Sequence, residues 1–111
     1  MAKYMVLFSY TADAVAGMEQ HPSDRADAVT KLLEAAGGRL ESFYWMLGPY
    51  DGMFVAEAPN AGAMASIALA VVGSHALKTF ETYELIPHED IAGIEEKARE
   101  VARSYQSPTQ A

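Results

Sequence analysis

The sequence predicts an α+β fold, a four-stranded antiparallel sheet with helices on one face. Three observations carry that expectation. Residues 42–47 (SFYWML) and 53–56 (MFVA) are apolar runs separated by Gly48-Pro49-Tyr50-Asp51-Gly52, a turn composition, so the pair reads as a β-hairpin. One helix-period segment lies before the hairpin and a second after it. Further strand patterns at residues 3–10 and 77–86 flank the two helical segments, which gives the order β-α-β-β-α-β.

Residues 3–10 are apolar on both parities, with Tyr4, Val6, Phe8 and Tyr10 on one side and Met5 and Leu7 on the other. That is the pattern of a strand covered on both faces. Thr11 and Asp13 offer capping oxygens for a short helical turn over residues 14–19. Pro22 interrupts it by disfavouring helical geometry at His21. Ser23 suits the N-cap of a helix running to about Ala36, with Asp24 in its first turn and Ala26, Val29, Leu32, Leu33 and Ala36 as its apolar stripe. Gly37-Gly38 stops that helix, the first glycine suiting a left-handed position. Beyond the hairpin, Pro59 ends the third strand and Asn60 caps residues 61–72 (AGAMASIALAVV), a helix so apolar that burial on more than one face is expected. Gly73 and Ser74 end it, and Pro87 ends the alternating fourth strand. A last helix over residues 88–104 carries Ile91, Ile94, Ala98, Val101 and Tyr105 along one face. Two β-α-β halves around a central hairpin make a ferredoxin-like arrangement with an extra C-terminal helix. The domain is expected to span residues 1–105, and the tail, residues 106–111, to be disordered.

A chain of 111 residues suits one domain and buries enough surface to need no staple. It has no cysteine, which excludes disulfides, thiolate catalysis and sulfur-ligated metals. Fifteen acidic residues against eight basic ones give a net charge of −7, an acidic surface that disfavours nucleic acid. The apolar segments are too short to span a bilayer and the N-terminus lacks a signal peptide's apolar core, so a soluble, cytoplasmic protein is expected.

Two helices cover one face of such a sheet, and the other must meet water or a partner. The side holding Glu57 and Glu81 is expected to be the open one, because carboxylates facing the helices would be desolvated. In the simplest hairpin register it also carries Phe43, Trp45, Leu47, Met53 and Val55. Each large aromatic side chain buries about 150–250 Å², and together they exceed the few hundred Å² that monomers usually expose. A homo-oligomer follows, most simply a two-fold dimer with its sheets face to face. The C-terminal helix is the alternative cover for that face.

Gly48-Pro49-Tyr50-Asp51 resembles the G-x-Y-D signature of the GYD-domain family, placed as there between the second and third strands. Tyr4-Met5-Val6-Leu7, Tyr10-Thr11, Arg25, Gly37-Gly38 and Glu57-Ala58-Pro59 match in order, so the resemblance covers roughly residues 1–90. The glycine usual after the first-strand threonine has no clean match, since Gly17 lies farther along. The resemblance implies a fold similar to that of dimeric α/β-barrel proteins, with Gly48, Tyr50 and Asp51 as family-motif positions, and it implies no general activity.

The chemistry-bearing residues are few. Trp45, Tyr44 and Tyr83 suit the walls of an aromatic pocket, with Glu57 or Glu81 as its polar group. A carboxylate against apolar walls would have a raised pKa and could act as a general acid or base. The alternative is an exposed rim or a salt bridge to Lys78 or Arg39. His75 lies in the connection where a pocket between the helix layer and the sheet would open, or is simply an exposed loop residue. Ligand-binding candidates are therefore Trp45, Glu57, His75 and Tyr83, and catalytic candidates are Glu57 and His75. Tyr50-Asp51 is either a proton-relaying pair or turn chemistry, with Asp51 closing the loop. His21, His75 and His88 have no metal-ligand spacing, and there is no phosphate loop or dinucleotide fingerprint, so neither metal nor cofactor is expected. The leading expectation is an oligomeric domain with an aromatic-lined pocket that binds a small apolar or aromatic molecule, or a protein partner. The alternatives are a cofactor-independent enzyme acting on an aromatic or polyketide-like substrate and a structural or regulatory subunit.

Overall fold

β1 (Ala2–Tyr10), apolar on both faces, takes an inner position in the sheet. In the computed structural model, which describes residues 1–109, it pairs with β3 (Gly52–Ala58) on one side and β4 (Leu77–Leu85) on the other. β2 (Arg39–Trp45) completes the antiparallel order β2-β3-β1-β4. Tyr4, Val6, Phe8, Phe54, Ala56 and Ala58 point to one face and meet Leu33, Met64 and Ile67 from the helices, and these residues are the buried core. Gly52 is required where it stands, because a Cβ there would lie 2.5 Å from the Phe8 ring.

The first crossover contains two helices, α1 (Ala12–Gln20) and α2 (Arg25–Ala35). Thr11 caps α1, its hydroxyl oxygen accepting the Ala14 N–H at 3.2 Å. Asp24 rather than Ser23 caps α2, its carboxylate accepting the Asp27 N–H at 3.0 Å. The cap must stand directly before the first helical residue, and Ser23 is one position early. Its hydroxyl accepts from Arg25 Nη1 instead, at 3.3 Å. Gly37 takes φ of 83° and turns the chain out of α2, as expected. The second crossover helix, α3 (Ala61–Val72), is capped by Asn60. After β4 a single 3-10 turn, His88–Asp90, leads into α4 (Ile91–Ala102).

Two further expectations fail, and so does the alternative cover for the open face. The hairpin closes through Met46 N–H to the Asp51 carbonyl at 2.8 Å, so Trp45 opposes Gly52 and Phe43 opposes Phe54. The simplest register was one step out, and a one-step slip moves every side chain to the other face. Phe43 and Trp45 therefore lie on the helix side, where Phe43 stacks on Phe54 with centroids 6.4 Å apart, and Tyr44 takes their place on the open side. An irregularity between Leu40 and Ser42 resets the register, so Arg39 opposes Glu57. Second, α3 buries one face only: Met64 and Ile67 are in the core while Leu69 and Val72 are exposed. A single helix layer has nothing outside it to bury a second stripe. Third, α4 does not cover the open face. Every residue of it is exposed, and the molecule measures 63 × 30 × 25 Å.

Among the described residues no helix is long and apolar enough to cross a membrane. The expected tail, residues 106–111, runs beyond the described residues at 110–111.

Candidate functional site

The 46–51 connection is built by its own residues. Asp51 accepts the Tyr10 N–H on Oδ2 at 2.8 Å and donates its own N–H to the Phe8 carbonyl at 2.9 Å. The aspartate thus clamps the hairpin loop onto the end of β1, and its carboxylate satisfies a strand-end donor that has left the ladder. Tyr50 goes elsewhere. Its hydroxyl donates to the Glu81 carboxylate, 2.9 Å from Oε2 and 3.0 Å from Oε1. Tyr83 donates to Glu81 Oε1 at 2.6 Å. Tyr50 and Asp51 therefore have separate partners and form no relay.

That tyrosine–glutamate–tyrosine cluster sits on the open face of the sheet. The Tyr83 and Tyr50 hydrogen bonds hold the Glu81 carboxyl below the usual carboxylate range, and the same bonds raise both phenols. Ser9 and Thr79 share a hydroxyl hydrogen bond of 2.5 Å beside it. The middle of the face is apolar, with Met5, Leu7, Met53 and Val55 half-buried. Tyr44 and Tyr83 stand exposed at the two edges. The far end is charged, with Arg39 Nε 2.6 Å from Glu57 and Lys3 Nζ 2.9 Å from Glu41.

The opposite side of the sheet holds a hollow of about 100 Å³ between α2, the α3–β4 connection and the strands. Phe8, Phe54 and Phe80 supply aromatic walls, with Leu32 and Val71 from the helices. Arg25, from the first turn of α2, reaches the same hollow.

The four predicted ligand-binding residues are not brought together. Trp45 packs against Phe8, Tyr10 and Phe43 on the helix side. Glu57 and Tyr83 lie on the open face, on different strands, and Tyr83 is engaged by Glu81. His75 is exposed in the α3–β4 connection with φ of 62°, and its carbonyl accepts from Thr11 Oγ1 at 3.4 Å. Glu57 takes the alternative expected of it, a salt bridge to Arg39, whose hydrogen bond holds the carboxyl below the usual range instead of raising it. Sequence reasoning placed a pocket near His75, and the hollow does open there, beside Ser74 and Ala76, but its walls are other residues. Arg25 was the available signal, a cation four residues before Val29 on the apolar stripe of α2.

The GYD domain family model matches residues 4–94. The glutamine synthetase and cystathionine beta-lyase binding protein of Thermus thermophilus is 31% identical over 91 residues, which is 82% of this chain and 95% of that protein. Among solved structures, FFRP-DM1 is similar with a TM-score of 0.51 at 18% identity, covering 78% of this chain and 100% of its own. The hypothetical protein PHS023 from Pyrococcus horikoshii has a TM-score of 0.50 at 18% identity, covering 81% of this chain and 95% of its own. At that identity the likeness to these structures is one of fold.

Proposed function

The chain belongs to the GYD-domain family, and from that premise we propose that it is a self-associating binding module of the cytoplasm. Two copies close their open sheet faces on each other, most simply as a two-fold dimer. The assembly holds a small apolar molecule on the helix side of each sheet and docks other proteins, without turning its ligand over. The observation that carries the reading is the apolar middle of the open face: Met5, Leu7, Met53 and Val55 form one patch over which no helix among the described residues is laid. The hydroxyls around Glu81 and the ion pair at Glu57 pre-satisfy the charged groups at the margins, which lowers the cost of excluding water there.

Protein docking draws support from the relative named for binding glutamine synthetase and cystathionine beta-lyase. It also draws support from Leu69 and Val72 on α3, from Ile91, Ile94 and Val101 on α4, and from Tyr105 just after it, all exposed apolar side chains outside the sheet face. The enzyme alternative needs a proton-moving group in the hollow. Glu57 lies on the other side of the sheet, in a salt bridge with Arg39 that holds its carboxyl below the usual range, and lends that alternative no support.

Sedimentation velocity on the full chain tests the reading. A dimer or larger species at micromolar concentration is expected, and Val55→Glu should shift it to monomer with unchanged circular dichroism. A native chain that sediments as a monomer throughout that range overturns self-association.

A further inference from the structure

We propose that the helix-side hollow is a site for a small monocarboxylate with a compact apolar tail, and that Arg25 receives the carboxylate. This rests on the small-ligand half of the reading above and names its ligand class. Arg25 is the unusual member of the hollow. Its Nε is buried and has no hydrogen-bond partner. Nη1 reaches only the Ser23 hydroxyl, at 3.3 Å, and no carboxylate among the described residues lies within ion-pair distance of the guanidinium. The nearest acids in sequence are otherwise engaged: Asp24 caps α2, and Asp27 pairs with Lys31 at 3.1 Å. Glu19 lines an adjoining hollow without pairing.

A guanidinium keeps its charge at any working pH, and a buried N–H without a partner is costly. The group that best satisfies both demands is a planar anion able to accept two parallel hydrogen bonds. The rest of the hollow decides what that anion is attached to. Its walls are mostly apolar, with Phe8, Phe54, Phe80, Leu32 and Val71 beside the hydroxyls of Tyr10 and Ser74, and Arg25 is the one charged residue among them, so nothing there pairs with a second negative charge. Its volume of about 100 Å³ is smaller than the ~150 Å³ cavity that admits benzene, so the tail is an isobutyl-sized group of about four carbons. The chain's net charge of −7 further favours a single negative charge over a phosphate. Tyr10, packed edge-on against Phe8 with centroids 5.4 Å apart, borders the same space.

The test uses the full chain and three probes: 3-methylbutanoate, the neutral 3-methylbutan-1-ol and inorganic phosphate, each followed by chemical-shift titration. The proposal expects saturable binding of 3-methylbutanoate with shifts at Phe8, Phe80 and Arg25. It expects at least tenfold weaker binding of the alcohol, and a loss of at least tenfold for the carboxylate in Arg25→Gln. Val71→Phe, which fills the hollow, should abolish binding of both organic probes. If alcohol and carboxylate bind equally in the native chain, the ligand class assigned here is wrong while a small-molecule hollow survives. If phosphate binds as tightly as 3-methylbutanoate, Arg25 is a general anion site and the proposal is overturned. If neither organic probe binds the native chain, the small-ligand reading itself fails along with it, and self-association is untouched.

Discussion

The two faces of the sheet use the same strands and nearly the same residue types and meet different fates. On β1, Tyr4, Val6 and Phe8 are buried beneath α2 and α3, while Met5 and Leu7 between them remain half-exposed. On β3, Phe54 and Ala56 are buried, and Met53 and Val55 are half-exposed. Alternation normally sorts apolar from polar side chains. Here both sets are apolar: the helices cover one, and the other is left open. Only the margins of the open face are polar, where Glu81, Glu57 and Lys3 are each held by a named partner.

The neighbours Phe54 and Val55 give the sharpest contrast. Phe54→Ala should cost about 3–5 kcal/mol in urea unfolding. Val55→Ala should cost less than about 1.5 kcal/mol at dilutions where the chain is monomeric. Similar losses at both positions in the dilute chain would mean that one molecule buries both faces alike. Next in size is Asp51, which joins the faces at the loop. Asp51→Ala orphans the Tyr10 N–H and should cost about 1.5–3 kcal/mol, while Asp51→Asn keeps an acceptor and should cost about 1 kcal/mol. An unchanged midpoint in Asp51→Ala would remove the clamp.

The smallest expected effect is on the acid limb of stability. Glu81 has a folded pKa below its unfolded one. Its contribution is therefore complete above the unfolded value, about 4.3, and is lost as pH falls through the lower folded value. Glu57 has the same sign through Arg39. Glu81→Gln should lose less stability than the native chain when urea midpoints are compared at pH 7 and pH 3. Equal losses would show that Tyr50 and Tyr83 do not hold the carboxylate ionised.

Most of the fold could be read from the sequence because each element carries its own signal. Thr11 and Asn60 cap helices, Gly37 takes the left-handed position, and the apolar periods of β1 and α2 are unbroken. What could not be read depended on things no local pattern encodes. The hairpin register hung on one residue of loop, which sent Phe43 and Trp45 to the helix side and Tyr44 to the open one. Whether α3 buries a second face and whether α4 folds back over the open face depend on how the elements pack in three dimensions, which their own residue patterns do not encode. The site was half visible. The sequence pointed to the α3–β4 connection through His75, whereas the hollow beside it is built from core phenylalanines and from Arg25, a cation hidden in an apolar stripe.

A second copy over the apolar middle of the open face would be felt directly by the methionines. Met64 is buried in the helix-side core, Met46 is exposed in the loop, and Met5 and Met53 lie in the disputed patch. Peroxide oxidation of the full chain, followed residue by residue at micromolar concentration and again after high dilution, places each on one scale. Met5 and Met53 should react as slowly as Met64 in the concentrated sample and approach the rate of Met46 on dilution. Rates that match Met46 at both concentrations would contradict a second copy there.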